Sequence, residues 1–513
     1  VRREARAGRR ALLPALLAAL VAAIPPGAAA FDLESRVREH RLANGMHLII
    51  VPRPTSPVVS LVMKFRAGAV DEEAGRSGMA HLLEHMLFKG TRTLGTVDIR
   101  REEPLLLAMD RTARELDRLR REAPGEDPAR RREEERLSRE LAELQERHRE
   151  LVVKDEIDGI YHRNGAQDFN AFTDPDLTTY RVDLPANRLE LWASIESDRM
   201  ANPVLREFYA EREVVREERR QSYDSQPSRL LWELFLSTAF QAHPYRRPII
   251  GWPSDIAFLE RGETESFFRR FYSPANTVVA VVGDVEPDRV LALLEHYFGP
   301  LPATEVVRPP ITGEPPQRGE RRAALVAEAS PSLLIGWHKP TLPHRDDYVL
   351  DLVDGILASG RTSRLHRLLV EEKKLASSVG SVNGLPGARY DNLFAVTATP
   401  LAPHLPEELE PHIYAELERL GREPVGAEEL EKVRKNLLAD FVRGLDSNSG
   451  LANMLAHYQA VAGDWRYLLN HARVMEGITT AEIMETAART FRETNRTVAT
   501  LRRAPAAGGE EGR

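Results

Sequence analysis

Two histidines and a glutamate stand close together in an otherwise apolar stretch, Gly78-Met79-Ala80-His81-Leu82-Leu83-Glu84-His85-Met86-Leu87-Phe88-Lys89-Gly90-Thr91. Leu82, Leu83, Met86 and Leu87 favour helix, and Gly78 and Gly90 bracket them, so the stretch predicts one short buried helix. On such a helix His81 and His85 lie one turn apart on one face, the spacing at which two imidazoles can hold a single metal ion. Glu84 adjoins that face, where it could take a proton from a water activated by the metal. Chance is the bland alternative, because the chain has 15 His and short motifs arise without function. Burial weighs against it: a charged Glu beside two His among leucines is costly unless a metal compensates it.

The elements that must position this helix read as α+β. Residues 41–51 form a hairpin pattern around an Asn44-Gly45 turn, and residues 58–65 an apolar strand leading towards the helix. Residues from about 100 to 155 are dense in charge. Leu105, Met109, Thr112, Leu116 and Leu119 recur at steps of four and three, as do Leu137, Leu141, Leu144, His148 and Leu151, with a Pro/Gly break at 123–128. This predicts an antiparallel helical hairpin projecting from the domain, either a docking arm or a solvated spacer, with His148 as a polar seam residue. Beyond it, Gly165 to Thr173 and a strand at 178–184 lead to helices at 189–200 and 205–223. The second of these carries Glu211 and Glu218, seven residues apart and therefore on one face. Spacing alone does not separate them from ordinary solvated helix surface.

The chain has 513 residues, 42% hydrophobic, enough for at least two cores, and a formal net charge of only -7, which speaks against a nucleic-acid surface. Residues 1–30 combine an Arg-rich start, an apolar run at 11–24 and Ala28-Ala29-Ala30, the pattern of a cleaved secretory signal; an uncleaved interfacial anchor is the alternative. That predicts an exported protein, periplasmic or secreted, with no integral membrane span after cleavage. With no cysteine it needs no disulfides. The outline of 267–284 returns at 487–502, each copy placing Asn before a Thr-Val strand, so a duplication is expected. The expected fold is two related domains, 31–299 and 318–505, each a largely antiparallel sheet backed by helices, with the hairpin inserted in the first. Residues 300–317 are the linker and 506–513 a disordered tail.

His81-Leu82-Leu83-Glu84-His85, the following Phe-Lys-Gly-Thr, Asn170-Ala171-Phe172-Thr173, and Glu211 to Arg220 with His243-Pro244-Tyr245 resemble the pitrilysin/insulinase family of inverted zincin peptidases. The resemblance implies that His81, His85 and Glu218 hold one Zn2+ per chain, that Glu84 is the general base, and that Glu211 supports the ligands from behind. It also implies that Asn170, Ala171, Phe172 and Thr173 offer backbone hydrogen bonds to an extended peptide substrate. Glu218 lies farther from His85 than is usual in the family, by roughly the length of the helical hairpin.

Two departures qualify the implied activity. Active members of the family usually need an Arg and a Tyr, seven residues apart, from the later domain of the chamber to grip the substrate and the developing oxyanion; Val370 and Ser377 stand at those positions here. Two domains are also half of the family's four-domain clamshell. Both features predict the metal-bearing subunit of a heterodimer whose partner, of the same family, supplies the Arg and Tyr, with a homodimer as the second option. A non-catalytic scaffold, and a metal-binding protein without hydrolysis, are the rival readings.

Overall fold

The structure, a computed structural model, describes residues 33–121 and 127–504. The expected signal at 1–30, most of the break at 123–128 and the tail from 506 lie outside the described residues.

β1 (Arg38–Arg41) and β2 (His47–Pro52) form the expected hairpin, with Arg41 opposite His47. Gly45 turns the chain at φ 92, and the Asn44 side chain donates to the Phe298 and Leu301 carbonyls at 2.7 and 3.2 Å. β3 (Val58–Phe65), β4 (Gln167–Thr173), β5 (Thr178–Pro185) and β6 (Thr277–Gly283) complete a six-stranded sheet in the order β1-β2-β6-β3-β5-β4. The second sheet holds β7 (Arg321–Ala327), β8 (Ser332–Lys339), β9 (Ala376–Leu385), β10 (Asn392–Pro400) and β11 (Arg496–Arg503), in the order β7-β11-β8-β10-β9. Setting β1 aside, the two sheets have the same topology, each with one parallel pair, β2/β6 and β7/β11, among antiparallel ones.

The helices that build the site and its supports are α1 (Met79–Met86), α2 (Ile99–Arg121), α3 (Pro128–Arg149), α4 (Phe208–Arg219), α5 (Pro227–Ala239), α6 (Arg261–Phe271), α7 (Asn448–Ala462) and α8 (Thr480–Thr490). The repeated Asn does the same work twice. Asn276 donates to Phe271 O at the end of α6 and to Arg66 O beyond β3; Asn495 donates to Thr490 O at the end of α8 and to His338 O in β8. A polar side chain thus satisfies carbonyls that a helix terminus leaves open.

Each domain covers the other's sheet with a helix. From the second domain, α7 lays Leu451, Leu455 and Ala456 against Ile49, Val62, Ala280 and Val282, on the face of the first sheet away from α1. In return α5 packs Leu231 and Phe235 on Leu334, Ala395 and Ala499 of the second sheet. The connection between the domains has no strand or helix over 302–320, yet it is fastened. Arg308 bonds Asp71 and Asn276, and Glu314 accepts from the backbone N–H groups of Gln241, Ala242 and His243.

The hairpin α2/α3 forms but does not project, which corrects the reading of residues 100–155. Leu106, Met109 and Ala113 of α2 are buried in the core of the first domain. The acids Glu102, Asp110 and Asp117 make a second buried stripe, facing Arg206, Arg261 and Arg212. Buried charges need partners, and these partners come from 95 to 151 residues downstream. His148 is buried at the base of the hairpin, its Nε2 2.9 Å from Glu102 Oε1.

Candidate metal centre

α1 is short and needs help to hold its place. Leu82, Leu83 and Met86 are buried in the core that includes Leu61, Met63 and Phe65 of β3, each such side chain worth about 1.5–3 kcal/mol. Its first backbone donors would otherwise be orphaned in the interior; the buried Glu72 carboxyl group accepts from Gly78 N and Ala80 N at 3.1 and 2.8 Å. Burial raises the Glu72 carboxyl to about 8 despite those bonds. Gly78 enters the helix at φ 89, and a Cβ there would lie 2.5 Å from Ile250 O. Only glycine fits both conditions.

On the other face of α1 the His81 and His85 rings lie with centroids 4.8 Å apart. α4 brings Glu218 to them, its Oε2 at 3.8 Å from His81 Nε2 and 3.7 Å from His85 Nε2. One ligand atom from each of the three lies within 4.8 Å of the others, a set that could hold one metal ion. The donors fit zinc in kind, with two imidazoles and one carboxylate, three of the four ligands that zinc usually takes. Burial and the neighbouring His85 push the His81 pKa down to about 3, so its ring is neutral and able to donate a lone pair. Glu84, Glu211 and Glu218 gather here with Lys89 as the cation, a surplus of negative charge that a dication would balance. Immediately after Glu218 the helix widens into a π turn at Arg220–Asp224, a distortion frequent beside functional residues.

Glu211 Oε1 stands 2.9 Å from His85 Nδ1, and its Oε2 is 2.7 Å from Lys89 Nζ. Burial opposes the charge on Glu211, but the hydrogen bonds from His85 and Lys89 overcome it and bring the carboxyl to about 2. Burial likewise opposes the charged form of His85, and the Glu211 bond and charge raise its pKa in spite of that. A carboxylate behind the imidazole fixes which ring nitrogen faces Glu218. Lys89, in the Phe-Lys-Gly-Thr segment but given no role from sequence, thus completes a chain from Glu207 through Glu211 to His85.

Glu84 is 8% exposed. Burial raises its carboxyl, and the Thr173 hydroxyl, donating to Oε2, partly offsets the rise. Thr173 ends β4, an edge strand of the first sheet. Along it Asn170 and Phe172 point outward and are exposed, whereas Ala171 is buried and Thr173 turns towards α1. Asn170 Oδ1 accepts from Ala171 N, and Phe172 is shielded on one side by Lys64, 5.2 Å from the ring centre. Among the described residues no strand pairs with the far edge of β4.

Val370 is half-buried in the π turn His366–Glu372, packed against the second core, and Ser377 is exposed on β9 with its hydroxyl donating to Thr399 O. Neither side chain can supply a cation or a phenol.

The family described as Insulinase (Peptidase family M16) matches residues 48–102 and 150–252, breaking off across the α2/α3 insertion, and the Peptidase M16 inactive domain matches 259–437. Zinc protease PqqE of Helicobacter pylori is 27% identical over 90% of this chain and 91% of its own length. The crystal structure of a protease from Helicobacter pylori superposes with a TM-score of 0.75 at 27% identity, covering 91% of this chain and 99% of that one. The periplasmic protease PqqL from Escherichia coli, at 18% identity and a TM-score of 0.66, shares the fold over 91% of this chain but only 47% of its own. The topology, the His81/Glu84/His85 helix and these matches agree: the chain belongs to the pitrilysin/insulinase (M16) family of peptidases.

Proposed function

We propose that the chain is a zinc-dependent endopeptidase that hydrolyses unfolded or short peptides, exported to the periplasm or beyond, and that it works as the catalytic subunit of a heterodimer. The observation that carries this reading is the convergence of His81, His85 and Glu218 beside a buried Glu84 that is bonded to an edge strand. His81, His85 and Glu218 would hold the ion, with Glu211 and Lys89 fixing the His85 ring. Zinc in such a set supplies Lewis acidity, which makes a water more acidic and a carbonyl more electrophilic.

The chain's own residues do the rest. A peptide extended along the free edge of β4 gains backbone hydrogen bonds, in register with residues 170–173, and its scissile carbonyl comes beside α1. Because the Thr173 hydroxyl occupies Oε2 of Glu84, Oε1 is the free acceptor for the proton of the attacking water. Glu84 then returns that proton to the leaving amine. An extended chain fits that edge, which supports unfolded or short peptides as the substrate class.

The partner is inferred from what Val370 and Ser377 cannot do, and the half-length match to the Escherichia coli protein is consistent with a larger clamshell. A homodimer is the second option for the assembly. The same two residues favour one rival function, a scaffold subunit without turnover. The deciding experiment is cleavage of a quenched fluorescent peptide library by the mature chain, alone and with a candidate partner, comparing wild type with Glu84→Gln. The expected result is turnover that needs the partner, falls by about 10²–10⁴-fold in the variant, and accompanies stoichiometric zinc in both. Full activity of the chain alone would remove the heterodimer; bound zinc without turnover in any combination would leave the scaffold.

A further inference from the structure

We propose that the α2/α3 insertion is a clamp that sets the rotation of α4, with Asp117 and Arg212 as positioning residues for the Glu211 and Glu218 carboxylates. The inference rests on the zinc reading above and assigns a role to a segment that the family match leaves out.

Glu211 and Glu218 share one face of α4, and Arg212 and Arg219 each follow by one residue, about 100° further round the helix. Both arginines are buried. The Arg212 guanidinium forks onto Asp117 of α2, Nη1 to Oδ2 at 2.7 Å and Nη2 to Oδ1 at 3.3 Å, and Nη1 also donates to Leu259 O at 3.1 Å. Both side chains of the pair are 4% exposed. Two further contacts line up with it. Tyr209 donates to Asp110 Oδ1 at 3.0 Å, and Arg206, just ahead of α4, places Nε 2.8 Å from Glu102 Oε1. Residues 206, 209 and 212 therefore meet acids at 102, 110 and 117, the first at the last matched residue and the other two in the insertion. At the far end Arg219 is fastened outside the insertion, to Glu233 of α5 at 2.9 and 3.1 Å and to Gly251 O at 2.7 Å.

Geometry makes this fastening matter. A rotation of about 20° carries a side-chain tip at the helix's outer radius of roughly 5–6 Å through about 2 Å. Metal–ligand distances tolerate only about 0.2 Å. A bidentate, water-excluded Arg–carboxylate pair fixes orientation as well as distance and so resists such a rotation. The insertion's acids thereby act on the metal site without touching it.

The test measures zinc affinity of the metal-stripped full chain by competition with a chromogenic chelator, and the visible spectrum after loading with cobalt(II). Asp117→Asn is expected to raise the zinc dissociation constant about tenfold, the low end for residues that support ligands, and to change the cobalt spectrum. Arg212→Lys, which keeps the charge but not the fork, is expected to fall between wild type and Asp117→Asn. Two controls separate positioning from general loss of stability: Asp347→Asn breaks the buried Lys339–Asp347 pair of the second domain, and Arg136→Ala removes an exposed pair on α3. Both should bind zinc as wild type does. A folded Asp117→Asn with wild-type zinc affinity and cobalt spectrum would overturn the proposal, as would equal weakening by Asp347→Asn. Should Asp117→Asn not fold, Arg212→Lys decides on the same readings. A wild type that binds no zinc would instead bring down the zinc reading, and the inference with it.

Discussion

The Thr173 hydroxyl donates a hydrogen bond to Oε2 of Glu84, joining the last residue of an edge strand to the helix that carries His81 and His85. Strand and base are therefore one mechanical unit: where the edge sits decides where the carboxylate points. Thr173→Val keeps the shape and removes the bond. A hydrogen bond to a charged group contributes about 1.5–3 kcal/mol, so kcat should fall by roughly tenfold to a hundredfold while zinc content stays at wild-type level. Thr173→Ser should recover most of the loss. Unchanged kcat in the valine variant would mean that the contact plays no part in turnover.

Glu211 bridges the His85 ring at 2.9 Å and the Lys89 ammonium at 2.7 Å, and its low pKa comes from them. Glu211→Gln keeps an acceptor for His85 but loses the charge. Zinc affinity, read by chelator competition, should drop by about 10–100-fold, with the fold intact by circular dichroism. If affinity is unaffected, Glu211 serves only to hold Lys89.

The parts of this molecule legible in the sequence are those whose cause is local. The α1 helix, the Asn44-Gly45 hairpin and β3 follow from neighbours a few residues away, and the duplicated Asn276 and Asn495 betray the repeated topology because each caps the helix just before it. The placement of α2 was not legible. Its charges read as a solvated face, whereas Asp117 finds Arg212 and Asp110 finds Arg261 across long stretches of chain. The same holds for Glu72: nothing about an isolated Glu announces that it caps the metal helix from a buried position. In the sequence Glu211 and Glu218 stand out by resemblance alone. What distinguishes them from Glu213 or Glu217 is which face of α4 meets α1, and that is set by tertiary contacts such as Arg212 and Arg219.

Gly78 couples backbone conformation to the site. It sits at φ 89 with no space for a Cβ, 2.5 Å from Ile250 O, and its N–H is held by Glu72. Gly78→Ala should strain the entry to α1 by roughly 1–3 kcal/mol or more, lowering the melting temperature by about 1–3 °C or more and weakening zinc binding with it. Gly75→Ala is the matched comparison, since its φ is +79 but nothing lies within 4 Å of the added methyl. Differential scanning fluorimetry with and without zinc separates the two. Equal shifts in both variants would attribute the cost to φ alone and exclude the Ile250 collision.

Acid should attack the base of the hairpin. Glu102 is fully buried between Arg206 and His148. Burial works against its charge, but hydrogen bonds from His148 and Arg206, with the Arg206 charge, outweigh it and bring the carboxyl from 4.5 down to about 2. A carboxyl depressed on folding contributes stability that is complete above the unfolded pKa and is lost as pH falls through the folded one. The contribution of Glu102 is therefore whole at neutral pH and should drain away between about pH 5 and about pH 2. Glu102→Gln strands Arg206 without its counter-charge and should be less stable at neutral pH by about 3–5 kcal/mol. As pH falls through that window the wild type approaches the variant, because the protonated carboxyl no longer pairs with Arg206. Urea midpoints for the two proteins across the acid range give the answer directly: the gap between them should close, and a gap that stays constant down to about pH 2 would rule out Glu102 as the acid-sensitive group.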